Sequence, residues 1–227
     1  MTDEPQPRSF LFPPVIRFLL IANGVVFVLQ LVAFETLLVH FALWPVGTPD
    51  VIEQNGDLVW VPAFQVWQLV TYGFLHGGLL HLFINLFAMW MLGVQLENAW
   101  GSRLFAIYYF FCVLGAGLIQ LVVASYGVAG TEIYPTIGAS GGVFGILLAF
   151  GMMFPNQRLV FILIPVPIRA KYFVIAYGAF ELFAGITGTI AGVAHFAHLG
   201  GMFFGFLLIQ YWRGRLPIKP SRRVFWW

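Results

Sequence analysis

Long apolar stretches with very few charges constrain this chain more than any other feature. Of its 227 residues, 60% are hydrophobic and only 9% are charged, whereas a soluble domain carries about a quarter charged residues. So few charges cannot keep a surface in water, and six apolar segments have about the length that a bilayer crossing needs. We therefore expect an all-α, polytopic membrane protein, a bundle of six transmembrane helices. The predicted spans are 16–39, 78–96, 104–124, 138–154, 172–187 and 192–212.

The basic residues predict the orientation of this bundle. An even number of spans places both termini on one side. With that side cytoplasmic, all eleven lysines and arginines lie inside or at an inner helix end. The outer connections 40–66 and 125–137 contain acidic residues but no basic ones. This is the positive-inside asymmetry, and one span more or fewer would break it. The net charge of +2 then reflects attraction to an anionic inner leaflet and not nucleic-acid binding.

The length of the chain leaves no room for a separate soluble domain. We expect residues 1–227 to form a single membrane domain, with a short cytoplasmic N-terminal segment (1–14) and a basic cytoplasmic tail (213–227). The connections 64–77 and 159–168 are apolar but interrupted by glycine or proline, so we place them at the membrane interfaces. A minimal six-span core without a targeting extension favours a bacterial plasma (inner) membrane.

Polar side chains in three of the predicted spans fall at one depth. Spans two, four and six all run inward, so their N-terminal halves lie at a similar shallow depth below the outer face. Ionisable groups in hydrocarbon are costly and are functional candidates by default. These residues are His81 and Asn85 on span two, Ser140 on span four, and His195 and His198 on span six.

Small residues favour contact between spans four and six. Gly141 and Gly145 share one helical face, as do Gly201 and Gly205, and such pairs let two helix backbones approach closely in lipid. His198 lies on the same face as Gly201. If the two faces pack together, the serine of span four comes near hydrogen-bonding distance of His198.

A serine beside a histidine fits acyl transfer. Ser140 would attack a carbonyl carbon, and His198 would take its proton and return it to the leaving amine. The resulting oxyanion needs hydrogen-bond donors. The candidates are the Asn85 amide, the His81 ring and the backbone N–H of Ser140, which follows Gly138-Ala139 at a helix start where N–H groups are free.

No carboxylate is expected at the depth of this pair, so a dyad is predicted whose imidazole is oriented by packing. Phe144, one turn below the serine, is placed to stack on His198. His195 is the rival base. A metal site of the two histidines is disfavoured, because no HExxH motif occurs and no carboxylate accompanies them. Glu181, inside span five, could be neutral, could bond within the bundle or could border a substrate path.

Three motifs resemble those of the rhomboid intramembrane serine proteases, in the family's order and over about residues 64–212. They are His76-Gly-Gly-Leu-Leu-His81-Leu-Phe-Ile-Asn85 on span two, Gly138-Ala-Ser140-Gly141 on span four, and Ala197-His198-Leu-Gly-Gly201 on span six.

The resemblance implies a serine endopeptidase that uses no cofactor or metal and cleaves transmembrane segments of other membrane proteins near the outer face. Its implied partners are these substrates and membrane lipids. Ser140 is then the nucleophile and His198 the general base. His81 and Asn85 match the oxyanion-side residues, and His76 matches a supporting histidine. The other supporting positions are Phe144, Gly138, Gly141 and Gly201.

Two positions depart from the family's pattern. Many members carry tyrosine where Phe144 stands, so the ring is kept and the hydroxyl is lost. Trp67-Gln68 resembles a Trp-Arg pair of some members, but Gln68 lacks the charge, which leaves the anchoring of the first loop open. The resemblance also implies that the connection 40–66 is partly embedded and that span five lies beside the substrate entrance.

Other classes of membrane protein fit the sequence less well. A non-catalytic rhomboid-like protein that binds membrane clients is the alternative, although such proteins usually lack the serine or the histidine. A small transporter or channel would need an inverted repeat or a charged pathway, and neither occurs. An aspartyl intramembrane protease is excluded because no aspartate falls in any span.

Overall fold

The computed structural model describes residues 10–47, 49–54, 57–127, 133–160, 166–188 and 192–220. Helices dominate this part of the chain, and a long helix occupies each of the six predicted segments. In chain order the helices are α1 (Pro14–Phe41), α2 (Gln68–Thr71), α3 (Leu79–Trp100), α4 (Ser102–Gly127), α5 (Ser140–Met153), α6 (Ala170–Thr187) and α7 (His195–Trp212). The expected all-α class is confirmed.

Three of these helices, α1, α3 and α4, are long and apolar enough to cross a membrane, and α5 is a shorter apolar helix. Large apolar side chains face outward from the bundle, such as Val32 of α1, which is 84% exposed. Outward-facing apolar surface of this kind is suited to lipid. The count of six crossings and the side on which the termini lie stay predictions.

Helix α5 lies at the centre of the bundle, in contact with α3, α4, α6 and α7. Its glycines make this position possible. A Cβ atom on Gly142 would overlap the ring of Tyr109, and one on Gly145 would overlap the side chain of Cys112. Because both neighbours belong to α4, that helix approaches the backbone of α5 more closely than any side chain would allow.

The connection between α1 and α3 is tied to the helical bundle. It contains a hairpin of β1 (Val51–Gln54) and β2 (Asp57–Trp60), paired antiparallel. Before the hairpin, Leu43 and Thr136 exchange backbone hydrogen bonds of 3.0 and 2.9 Å. The start of this connection is thereby joined to the segment that leads into α5.

The buried side-chain amide of Gln68 anchors the first loop, although it carries no charge. Its Oε1 accepts hydrogen bonds from the backbone N–H groups of Trp44, at 3.3 Å, and Gln65, at 3.2 Å. After α2 comes a 3-10 turn, Tyr72–Phe74. The Tyr72 carbonyl accepts the N–H of Gly138 at 2.9 Å, so this segment also supports the residues just before α5.

A second hairpin, of β3 (Arg158–Leu159) and β4 (Ile168–Arg169), connects α5 to α6. Its two-residue strands agree with the expectation that 159–168 is not a span. Residues 161–165 of that connection lie outside the described residues, as do 1–9 of the predicted N-terminal segment, 221–227 of the tail and 128–132 of the connection 125–137.

Glu97, buried near the end of α3, caps the start of α1. Its carboxylate oxygens accept the backbone N–H groups of Val15, at 2.9 Å, and Ile16, at 2.8 Å. The Ser102 hydroxyl donates to the same carboxylate at 2.6 Å. The first N–H groups of a helix have no intrahelical acceptor and favour a nearby negative charge. Glu97 therefore joins α1 to the α3–α4 corner.

Replacing Glu97 with alanine should lower the free energy of unfolding in detergent micelles by about 2–4 kcal/mol, because one buried and one half-buried N–H group lose a charged acceptor. Asn98→Ala is the matched control. Asn98 is half-buried and makes two hydrogen bonds to the backbone of Phe10 at the protein surface, and losing them should cost less than about 1 kcal/mol. Equal losses in titrations with denaturing detergent would contradict the capping role.

Candidate active site

Two polar side chains from different helices meet at one end of the bundle. Ser140 is the first residue of α5, and His198 lies in the first turn of α7. The Ser140 Oγ lies 2.8 Å from the His198 Nε2, a distance at which the hydroxyl donates a hydrogen bond to the imidazole. His198 is buried, with 8% of its surface exposed. Ser140 thus approaches His198 as the glycine spacing predicts.

Direct backbone contact between α5 and α7 brings the pair together. A Cβ atom on Gly201 would overlap the carbonyl group of Gly141, and a Cβ atom on Gly145 would lie 3.3 Å from the Gly201 carbonyl oxygen. Helices can approach this closely only where neither carries a side chain. Gly205 has another role, because it faces the hydroxyl of Tyr108 on α4.

The ring of His198 lies flat against Phe144, as predicted. The two ring centroids are 4.1 Å apart, with an angle of 6° between the planes. The ring of Tyr177, on α6, also packs against Phe144, with 5.0 Å between the two ring centroids. Stacking fixes the plane of the imidazole and leaves both nitrogen edges able to hydrogen-bond. The hydroxyl that Phe144 lacks is not needed for this contact.

The expectation that no carboxylate lies at this depth was wrong. Glu181, on α6, directs its Oε2 at two imidazoles, 2.7 Å from the His195 Nδ1 and 2.9 Å from the His198 Nδ1. The glutamate is 2% exposed. His195, the rival base in the sequence, contacts this carboxylate, whereas the Ser140 hydroxyl meets His198.

The same three side chains place possible metal ligands close together, with one ligand atom of each within 4.8 Å of the others. Because a carboxylate does accompany the histidines, its expected absence no longer argues against a metal site. The distances between the ligand atoms argue against a metal site instead. A tetrahedral ion with bonds of about 2.0–2.1 Å holds its ligand atoms about 3.3 Å apart. The N···O distances of 2.7 and 2.9 Å fit hydrogen bonds better.

His81 faces Ser140 across Gly138. The backbone φ of Gly138 is +131°, and a Cβ atom there would lie 3.0 Å from the His81 Cε1 and 3.5 Å from the Ser140 Oγ. A residue with a side chain would be strained at this φ and would fill the space between the two groups. Glycine therefore keeps the gap between the His81 ring and the Ser140 hydroxyl free of a side chain.

Hydrogen bonding also assigns the proton on the His81 ring. The backbone N–H of Gly77 donates to the His81 Nδ1 at 3.2 Å, so Nε2 carries the hydrogen of the neutral ring. This N–H is a donor beside Gly138. Asn85, one turn further along α3, donates from its Nδ2 to the His81 carbonyl at 2.9 Å. That bond uses one of the two N–H groups of the amide.

His76, just before α3, supports His81. Their rings pack edge to face, with centroids 5.1 Å apart. Burial, followed by the proximity of His81, lowers the pKa of His76 to about 4, so its ring is neutral at pH 7. Gln30 of α1 holds its backbone, accepting the His76 N–H at 2.9 Å and donating to the His76 carbonyl at 3.1 Å. Gln30 was not among the predicted site residues, although a polar side chain within an apolar span is a signal that the sequence carries.

Membrane-spanning helices around a half-buried serine and a buried histidine define an integral membrane protein with a polar site inside its helical bundle. Residues 63–215 match the family model of the Rhomboid domain. The chain belongs to the rhomboid family, which confirms the resemblance of the three motifs.

Named relatives agree with this assignment. RHOMBOID-like protein 7 of Arabidopsis thaliana is 29% identical over 91% of this chain and 67% of its own length. Rhomboid protein 1, mitochondrial, of Saccharomyces cerevisiae is 30% identical over 69% of this chain and 44% of its own. Rhomboid-like protease 3 of Toxoplasma gondii is 27% identical over 70% of this chain and 56% of its own length. The chain thus spans about half the length of the last two. All three are eukaryotic, so the expected bacterial plasma membrane gains no support from them.

Replacing Gly201 with alanine should destabilise the fold by about 1–3 kcal/mol, because the new methyl group overlaps the Gly141 carbonyl and forces α7 away from α5. Gly24→Ala is the control, since Gly24 lies in α1 with nothing within 4 Å of an added Cβ atom. That change should be neutral or stabilising by up to about 1 kcal/mol. Thermal unfolding in detergent measures both, and an unaffected Gly201→Ala variant would contradict the backbone contact.

Proposed function

We propose that this chain is an intramembrane serine endopeptidase that hydrolyses peptide bonds in the transmembrane segments of other membrane proteins. The observation that carries the proposal is the contact of 2.8 Å between the Ser140 Oγ and the His198 Nε2 within an apolar helical bundle. Membership of the rhomboid family supports it, as does the name of one relative, Rhomboid-like protease 3 of Toxoplasma gondii.

In the proposed reaction the Ser140 Oγ attacks the scissile carbonyl carbon while its proton moves to the His198 Nε2. The carbonyl π electrons become the oxyanion of a tetrahedral intermediate. Collapse of this intermediate breaks the C–N bond, and His198 gives its proton to the leaving amine. A water molecule, activated by the same imidazole, then hydrolyses the acyl-enzyme. No step needs a cofactor or a metal ion.

The oxyanion would lie in the space beside Gly138. The His81 Nε2–H borders that space, and the backbone N–H of Ser140 has no intrahelical acceptor because the residue begins α5. The dipole of α5 favours negative charge at the same point. The Asn85 amide is a further donor one turn away. Donors fixed before the reaction stabilise the oxyanion without reorganisation.

We further propose that the six long helices all cross the membrane, with both termini cytoplasmic and the site near the outer face. The positive-inside distribution of lysine and arginine supports this topology. A site at the N-terminal ends of α3, α5 and α7 would then lie a short distance below the outer surface. Water for hydrolysis is available at that depth, and a transmembrane substrate can present a bond there.

The alternative function, non-catalytic binding of membrane clients, requires only the fold. It gives no reason for a serine hydroxyl to be held at hydrogen-bonding distance from an imidazole whose other nitrogen meets a buried carboxylate. This arrangement therefore favours the enzyme.

Ser140→Ala should abolish cleavage of a model transmembrane substrate reconstituted with the protein in liposomes. Loss of a serine nucleophile typically lowers kcat by about 10⁴-fold or more. Ser125→Ala is the matched control. Ser125 lies in α4, where its hydroxyl donates to the Leu121 carbonyl at 2.6 Å, and its loss should leave cleavage largely intact. Undiminished cleavage by Ser140→Ala, with the fold retained, would refute the proposal.

His81→Ala should lower kcat by about 10²–10³-fold with little change in KM, because the Nε2–H would stabilise only the charge that develops in the transition state. His40→Ala provides a comparison. His40, at the end of α1, is exposed, and its replacement should leave both constants unchanged. A higher KM at constant kcat for His81→Ala would show that the ring binds substrate and does not stabilise an oxyanion.

A further inference from the structure

Glu181 and His195 exchange no proton and form no bond in the steps of the proposed reaction, yet they are buried against the base. Glu181 is 2% exposed and His195 is 6% exposed. One carboxylate oxygen lies within hydrogen-bonding distance of the Nδ1 of both histidines, and the opposite nitrogen of His198 meets the Ser140 hydroxyl. The four side chains form a continuous hydrogen-bonded chain, His195–Glu181–His198–Ser140, that joins α6, α7 and α5.

The face of α6 that carries Glu181 is also the face that approaches α7. Added Cβ atoms would lie 3.3 Å from the Met202 Cε at Gly178 and 3.2 Å from the His195 Cβ at Gly185. These glycines stand three residues before and four residues after the glutamate, so all three lie on one side of the helix. The close packing of α6 on α7 therefore places the carboxylate between the two imidazoles.

We infer that Glu181 is a positioning residue that orients His198 as the base of the proposed endopeptidase, and that His195 holds Glu181 in place. The inference rests on the proposed function and extends the expected pair of residues to a Ser140–His198–Glu181 triad.

The first reason is the tautomer of His198. An ionised carboxylate only accepts hydrogen bonds, so the Nδ1 facing it must carry the hydrogen. The lone pair of Nε2 is then directed at the Ser140 hydroxyl. In the other tautomer Nε2 carries the hydrogen and cannot receive the proton of the serine. Stacking on Phe144 fixes the ring plane but cannot choose between tautomers.

The second reason is the charge that forms during the reaction. When His198 takes the proton it becomes an imidazolium inside an apolar bundle, where charge is poorly solvated. A carboxylate at 2.9 Å from its Nδ1 offsets this cost. The proton stays on the imidazole, and Glu181 stays ionised throughout.

The third reason is the second hydrogen bond to the same oxygen. The His195 Nδ1–H donates to the Glu181 Oε2 at 2.7 Å, so two donors satisfy an oxygen that is buried among apolar groups. The other titratable groups near this network are Tyr177, one turn earlier on α6, and His81, whose charge would repel that of His198. Neither ring is recorded in a hydrogen bond to the Glu181 carboxylate.

Glu181→Gln tests the inference in the cleavage assay, because it keeps the size of the side chain and removes its charge. We expect kcat to fall about 10²–10⁴-fold with KM little changed. Glu181→Asp, which restores the charge on a shorter side chain, should recover part of the loss. Glu35→Gln, at an exposed position of α1, is the matched control and should match the parent. A Glu181→Gln variant with the kcat of the parent would overturn the inference.

The controls separate this inference from the proposed function. If the parent cleaves, Ser140→Ala does not and Glu181→Gln does so at the parental rate, only the inference fails. If the parent does not cleave or Ser140→Ala still does, the proposed function fails.

A second measurement needs no Glu181 variant and no activity. In protein labelled with ¹⁵N-histidine, NMR shifts report which ring nitrogen carries the hydrogen. We expect His198 to be protonated at Nδ1 near neutral pH, although the Nε2–H tautomer is generally preferred by free imidazole side chains. The signals of His198 are assigned as those missing from the spectrum of His198→Gln. An Nε2–H tautomer at His198 would overturn the inference even if every Glu181 variant failed to fold.

Discussion

The backbone contact between α5 and α7 at Gly141 and Gly201 is the constraint on which the site depends. An added Cβ at Gly201 would overlap the Gly141 carbonyl, so the helices lie at the shortest separation that backbones permit. Ser140 and His198 are each within three residues of this contact. Their hydrogen bond is consequently set by helix geometry and not by flexible loops, which suits a site that must hold reacting atoms in place.

Burial of polar groups in an apolar bundle explains the rest of the arrangement. Each buried donor or acceptor needs a partner because lipid supplies none. The Glu181 carboxylate accepts from two imidazoles, and the Gln30 amide pairs with both backbone groups of His76. At the opposite end, Glu97 caps α1. These contacts join helices that apolar packing alone would leave free to slide.

Much of this could be predicted from the sequence because the signals are local. Hydropathy placed all six long helices, and glycine spacing predicted that Ser140 would approach His198. The role of Glu181 was left open because its hydrogen-bond partners depend on how α6 is rotated against α7. The glycines at 178 and 185 flank it on one face, a pattern that could have indicated this rotation. Gln68 and Gln30 were harder to interpret, since each has a backbone partner far away in the chain, Trp44 for Gln68 and His76 for Gln30.

The most direct test of the account is the chemical reactivity of Ser140. A fluorophosphonate probe phosphonylates a serine, with loss of fluoride, only when a base removes the proton of the hydroxyl, and digestion followed by mass spectrometry locates the adduct. The account predicts a single adduct on Ser140 in the parent protein, lost in a folded His198→Ala variant. An unmodified Ser140 in the folded parent, or equal labelling without His198, would contradict it.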